Sequence, residues 1–317
     1  MIRALSLTGP TASGKTALSL SIAEELGCEI ISSDSMQIYR DMDIGTAKAT
    51  AEEQARVRHH LIDILSPSES YSAEDYRRDA MAAAEDISKR GMIPLFVGGT
   101  GLYIDTVMRG GAVESPPSDP EVRERLMLLA KGEGGADRLW ERLLAVDPES
   151  AEKTHKNNLR RVVRALEIYE VSGRTKSYFD RLSREVAPDI SVGMITLDFH
   201  NRDNLYKRVD KRVDEMLSMG LLDEVRSLLD GGMLDPSYTA AQAIGYKELI
   251  SYIKGECSLA EATDTLKLSS RRYAKRQLTW FRHETEAVRL FADGEDGKMK
   301  DIDILIKEAT AAARSLL

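Results

Sequence analysis

Apolar residues fall along the chain in two rhythms. Short, mostly apolar runs occur at 2–7, 29–33, 93–97 and 191–197, each bounded by glycine, proline or polar turn residues. That is the pattern of strands buried on both faces. A shorter candidate lies at 59–64. Between the runs, apolar positions recur at helical spacing over 17–26 and over 72–90, where Ser72 is the expected N-cap and Gly91 the stop. The same spacing returns through Leu205, Val209, Val213, Met216 and Leu217, and through Leu259, Ala262, Leu266 and Tyr273. Strand and helix in alternation predict an α/β fold, a parallel sheet flanked by helices. At Ser115-Pro116-Pro117-Ser118-Asp119-Pro120 the texture changes, and up to about residue 188 only helical patterns follow. The expected organisation is a core from 1–115 and 190–317 interrupted by a helical insertion at 116–189. A charged turn at 293–297 leads into a last, alanine-rich helix.

The turns carry the chemistry. Gly9-Pro10-Thr11-Ala12-Ser13-Gly14-Lys15-Thr16 follows the first strand and opens the first helix. This is G-x-x-x-x-G-K-T in the context the phosphate loop requires. Its glycines allow successive N–H groups to turn inward, and the helix N-terminus adds free donors and a positive dipole end. Lys15 is expected to reach along bound phosphates and the Thr16 hydroxyl to ligate Mg²⁺. The fold class is therefore P-loop NTPase-like. Ligands in such sheets gather beyond the carboxyl ends of the strands. Two more elements belong at that rim. One is Asp34, which ends the second strand and could be a general base, a Mg²⁺ ligand or a turn cap. The other is the second glycine turn, Gly98-Gly99-Thr100-Gly101, where Thr100 could face a departing oxygen. Asp63, after Leu61-Ile62, is a rival metal ligand. The five histidines show no metal spacing, and no G-x-S-x-G nucleophile turn occurs.

Composition narrows this picture. With 42% hydrophobic and 30% charged residues, the 317-residue chain reads as an ordinary globular protein. No apolar run nears the roughly 20 residues of a membrane span, and the first strand begins at once, leaving no room for a signal peptide. Cys28 and Cys257 are too few and too isolated for disulfides or a zinc site. Reduced thiols and a cytoplasmic location are expected. The net charge of −8 hides two basic stretches. Between Lys153 and Arg184, nine basic residues oppose three acids; between Lys267 and Arg282, six basic residues meet none and are interleaved with Tyr273, Trp280 and Phe281. Such patches favour a polyphosphate partner over mere solvation.

Eight blocks, in order across nearly the whole chain, resemble the signature blocks of the bacterial tRNA dimethylallyltransferases. They are the phosphate loop, Ser33-Asp34-Ser35-Met36-Gln37-Ile38-Tyr39-Arg40, Asp43-Ile44-Gly45-Thr46-Ala47-Lys48, His59-His60-Leu61-Ile62-Asp63, Gly98-Gly99-Thr100-Gly101-Leu102-Tyr103, and the segments 157–167, 242–248 and 276–282. Ile38 departs from an expected valine. The resemblance implies transfer of a dimethylallyl group from its diphosphate to N6 of the adenosine 3′-adjacent to a tRNA anticodon, with Mg²⁺ as cofactor. It implies Asp34, Thr100 and Lys15 as catalytic residues. It implies that Gly9 to Thr16 hold the diphosphate; Arg208 and Arg212, one helical turn apart, are candidates for extra diphosphate clamps or for residues of a solvated face. For the anticodon arm it implies Asp34, Ser35, Met36, Gln37, Thr100, Arg123, Arg160, Arg161, Val162, Val163, Arg164, Gln242, Ala243, Ile244, Gly245, Tyr246 and Lys247. A monomer without membrane attachment is expected. A P-loop small-molecule kinase, an adenylate dimethylallyltransferase acting on free nucleotide and a nucleotide-gated RNA-binding switch are the alternatives.

Overall fold

The computed structural model describes residues 1–108, 116–185 and 188–317, apart from the side chain of Arg184. The expected boundary at Ser115 lies outside them. The chain forms β1 (Ile2–Thr8), α1 (Lys15–Leu26), β2 (Cys28–Ser32), α2 (Ala51–Arg56), β3 (His59–His60), α3 (Ala73–Lys89), β4 (Ile93–Gly98) and α4 (Gly101–Met108). Five helices follow: α5 (Pro120–Lys131), α6 (Gly135–Val146), α7 (Pro148–Glu152), α8 (Leu159–Ser172) and α9 (Lys176–Glu185). Then come β5 (Ile190–Asp198), α10 (Arg202–Ser218), α11 (Leu221–Asp230), α12 (Tyr246–Ile253), α13 (Leu259–Phe281), β6 (Val288–Phe291) and α14 (Ile302–Ser315). Two compact units result, Met1–Met108 with Ile190–Leu317, and Arg109–Asp189.

In the first unit the strands pair in the order β3-β2-β4-β1-β5-β6, every pairing parallel. Alternate residues serve opposite faces, as the period of two dictates. Leu5, Leu7, Ile30, Leu95, Ile195 and Leu197 pack with α1, α13 and α14; Ala4, Ile31, Phe96 and Met194 pack with α3 and α4. Register then sets the rim. Thr8 pairs with Gly98, and Ser32 with Val97, so the chain leaves β1, β2 and β4 at one level.

Two expectations are corrected. The strand foreseen at 59–64 is two residues long, because Leu61 and Asp63 take left-handed φ of 59° and 56° and turn the chain away. The short edge strand β6 was not foreseen; three of its four residues are half-buried and Arg289 is exposed, and it is too brief to raise a periodic signal.

In the second unit Leu126, Leu139, Leu143, Val162, Val163 and Leu166 form a core of their own. Glu167 is fully buried there. It accepts from the Asp119 N–H at 2.9 Å, from the Arg123 guanidinium at 2.9 Å, and pairs with Arg164 at 3.0 Å. Burial would raise its carboxyl, yet these donors hold it below the usual range.

Candidate active site

A cavity of about 1050 Å³ opens in the first unit beyond β1 and β2. Its floor is the phosphate loop. Gly14, at φ 103°, takes a conformation that a side chain would strain, and it delivers the chain into α1. Within the loop, Ser13 N–H donates to Pro10 O, and Thr11 N–H is taken by Gln277 Oε1 at 2.8 Å. The N–H groups of Gly14, Lys15 and Thr16 find no acceptor among the described residues. They remain as an anion nest at a helix start. Ser13 Oγ is buried there without a partner.

Three cations converge on the nest. Lys15 Nζ donates to Gly9 O at 3.0 Å and Pro10 O at 2.7 Å. Burial, then the neighbouring Arg212, push its ammonium down to about 7, while Asp34 pulls the other way. Arg208 Nε donates to Ala12 O at 2.7 Å. Arg212 lines the cavity and makes no ion pair among the described residues. Burial lowers both guanidinia below their ordinary range, and Asp34 opposes the shift at Arg212. Partly buried cations of this kind need an anion.

Asp34 faces Lys15 and Arg212, while Glu215 acts on Arg208 and Arg212. Asp34 Oδ1 accepts from Met36 N–H at 2.9 Å, so this residue does cap its turn, and its Oδ2 makes no hydrogen bond among the described residues. Thr100 is tied to the same loop: its Oγ1 accepts from Ser35 N–H at 3.1 Å. Ser35, Met36 and Gln37 line the cavity, as do Gln242, Ala243, Ile244, Gly245, Tyr246 and Lys247. The Gln37 amide is spent within the fold, donating to Thr46 O and Ala47 O and accepting from Ser32. Thr16 is exposed at the cavity edge. Among the described residues no cluster of three or more His, Cys, Asp or Glu could hold a metal.

Several expected contact residues serve the fold instead. Val162 and Val163 are buried in the insertion's core, which corrects their assignment to a partner surface. Arg123 and Arg164 are engaged with Glu167, and Arg164 also donates to Pro116 O and Pro117 O. Arg160 and Arg161 are exposed and make no ion pair or side-chain hydrogen bond among the described residues. The Tyr246 side chain is buried. Asp63 lines the same cavity and pairs with Lys48.

Two residues at the site escaped the sequence reading. Glu224 accepts from the N–H groups of Asp43, Ile44 and Gly45 at 2.7–3.1 Å and from the Tyr246 hydroxyl at 2.6 Å. It pins the 43–48 loop to α11, and no motif marks it. Gln277 lay within a quoted block without a role.

A parallel sheet whose first turn is an anion nest ringed by cations defines a P-loop α/β protein. The IPP transferase family model matches residues 37–284, and the chain belongs to that family. The tRNA dimethylallyltransferase of Geobacillus thermodenitrificans is 50% identical over 279 residues, 88% of this chain and 87% of its own. The crystal structure of the tRNA isopentenylpyrophosphate transferase from Bacillus halodurans is similar at TM-score 0.72 and 41% identity, covering 100% of this chain and 97% of that one. A eukaryotic dimethylallyltransferase solved acting on tRNA gives TM-score 0.76 at 29% identity, covering 100% of this chain and 78% of that one.

Proposed function

We propose that the protein transfers a dimethylallyl group from dimethylallyl diphosphate to N6 of the adenosine 3′-adjacent to the anticodon of tRNA, releasing diphosphate. The observation that carries this reading is the meeting, in one cavity, of three incompletely paired cations, an empty-handed N–H nest and one carboxylate with a free oxygen. The family and the names of its members supply the substrates.

The nest, Lys15, Arg208 and Arg212 receive the diphosphate. As the allylic C–O bond breaks, the bonding pair leaves with the diphosphate, and the preorganised donors stabilise the charge that grows there. The N6 lone pair forms the new N–C bond, and Asp34 Oδ2 accepts the N6 proton. Thr100, held to the loop that bears Asp34, orients the base. The residues fit Mg²⁺ held chiefly by diphosphate oxygens and water, with the exposed Thr16 hydroxyl as its protein ligand, a mode that ion favours. When bound it would neutralise part of the diphosphate charge. Arg160 and Arg161, the free cations of α8, bind the anticodon arm. The protein is proposed to act as a monomer in the cytoplasm. No helix among the described residues is long and apolar enough to cross a membrane.

The test is mass spectrometry of tRNA nucleosides after incubation with dimethylallyl diphosphate, beside an ATP hydrolysis assay. Prenylated adenosine without ATP turnover is expected. ATP turnover without prenylation would return the kinase reading to first place.

A further inference from the structure

We infer that Gln277 is a positioning residue whose amide sets the spacing between the phosphate loop and the turn that carries Thr100. The inference rests on the reaction proposed above. Tyr273, Gln277 and Trp280 stand at i, i+4 and i+7 of α13, hence on one face. The Gln277 side chain is 5% exposed. Its Oε1 accepts from Thr11 N–H at 2.8 Å, and its Nε2 donates to Gly99 O at 2.9 Å. A backbone N–H can only donate and a carbonyl can only accept, so these partners fix which way the amide points.

The sheet explains why such a link is needed. The β1–β4 ladder ends at Thr8 and Gly98. Past that level the two glycine turns have no backbone hydrogen bond to each other among the described residues, and the Gln277 amide continues the ladder by one step. The approach is close: a Cβ on Gly99 would lie 2.0 Å from Nε2. Beyond Gly99, Thr100 N–H donates to Ser33 O at 3.1 Å, and Thr100 Oγ1 accepts from Ser35 N–H. A continuous chain thus runs from Thr11 through Gln277, Gly99 and Thr100 to the residues on either side of Asp34. The Tyr273 hydroxyl faces both Thr100 and Gln277 and closes the group. The seat of the leaving diphosphate and the loop of the base are held at one separation by this link.

Gln277→Glu provides a reversible test. A protonated carboxyl keeps one acceptor and one donor in the places of the amide; the carboxylate has no donor and meets Gly99 O with a repelling oxygen. Burial raises such a carboxyl toward neutral pH. Two quantities are read as ratios to wild type at pH 6 and pH 8: kcat for tRNA prenylation and affinity for inorganic pyrophosphate. Both ratios are expected to be about tenfold higher at pH 6, the loss of one hydrogen bond with a desolvated acceptor. Ratios that do not change with pH overturn the inference. Gln277→Met, which lacks both arms, should lower kcat about 10- to 100-fold at either pH and lower the melting temperature, because Thr11 N–H and Gly99 O lose their partner. Added to Thr100→Ala it should cost less than about threefold more, because the two act through one element. Additive losses overturn the inference. If Gln277→Met does not fold, the Gln277→Glu ratios decide. If the wild type prenylates nothing, the reaction reading falls, while the pyrophosphate ratio still decides on Gln277.

Discussion

The cations of the cavity and those of the helical insertion are surrounded differently. In the insertion, Arg123 and Arg164 hold Glu167, Arg125 and Arg142 hold Glu170, Lys153 and Arg181 hold Glu149, Lys156 pairs with Asp137 and Lys176 with Asp180. Only Arg160 and Arg161, among the described side chains counted as a basic stretch with Arg174 set aside, have no such partner. On α13 and at its C-cap, Lys267, Arg271 and Arg282 are matched by Asp214, Asp210 and Asp198, acids that lie far away in sequence, while Arg272, Lys275 and Arg276 make no ion pair among the described residues. In the cavity the order is reversed: Lys15 and Arg208 donate to backbone carbonyls, Asp34 faces Lys15 and Arg212, and none of the three cations makes an ion pair among the described residues. A run of basic residues is therefore a poor marker of an anion site. What marks one is a desolvated cation that the fold has left without an ion pair.

The comparison breaks most sharply at Asp34. Asp34→Asn keeps the Met36 cap but cannot accept a proton, so kcat should fall by roughly 10²–10⁴-fold with affinities little altered. Single-turnover kinetics with a melting curve check this. Normal turnover of the folded variant would reduce Asp34 to a cap. Lys15→Ala should lower kcat/KM for the donor by about 10²–10³-fold, since it removes a charge from a preorganised, desolvated site. Full activity would sink the phosphate-loop assignment.

The insertion offers the converse test. Reversing Arg160 and Arg161 to Glu should raise the KM for tRNA and reduce the salt slope of binding by about two, while donor affinity and melting stay unchanged. Arg164→Glu should act on stability instead, by about 3–5 kcal/mol, because it leaves Glu167 buried beside a like charge. If both changes have the same effect, the division between free and engaged cations fails.

The smallest effect is on pH. With Lys15 pushed down to about 7, the free protein carries it charged below that pH and increasingly neutral above. Diphosphate needs the charged form, so binding above pH 7 takes up a proton, and affinity should fall by about two- to tenfold from pH 7 to 8. Calorimetry in buffers of different ionisation enthalpy would detect that proton. For the unliganded fold the sign is opposite. Between about 7 and the ordinary lysine value of 10.5 the unfolded chain binds more protons, so Lys15 makes stability rise with pH across that window.

What was legible in the sequence was local. The central strands announce themselves because both faces are buried, and the two glycine turns because strand, turn and helix are contiguous. Asp34 follows from the rule that ligands lie beyond strand ends. Glu224 and Gln277 were not legible as site residues, because their partners lie about 180 and 266 residues away and form only when α11 and α13 pack on the rim. The same distance hides the acids that match the basic residues of α13. The strand assigned to 59–64 failed for the opposite reason: its pattern was right locally, but left-handed turns at Leu61 and Asp63 overrode it.

Glu224 has a consequence for how this protein can vary. It grips the 43–45 loop by three main-chain N–H groups and by none of its side chains. A carboxylate that reads amide protons is blind to the identity of the residues presenting them. The segment is thus free to drift at Ile44 among residues of similar bulk, yet closed to proline, the one amino acid that brings no N–H. Tolerance here is governed by an atom every other residue shares, and a mutational scan across Ile44 would show proline excluded where residues of similar bulk are accepted.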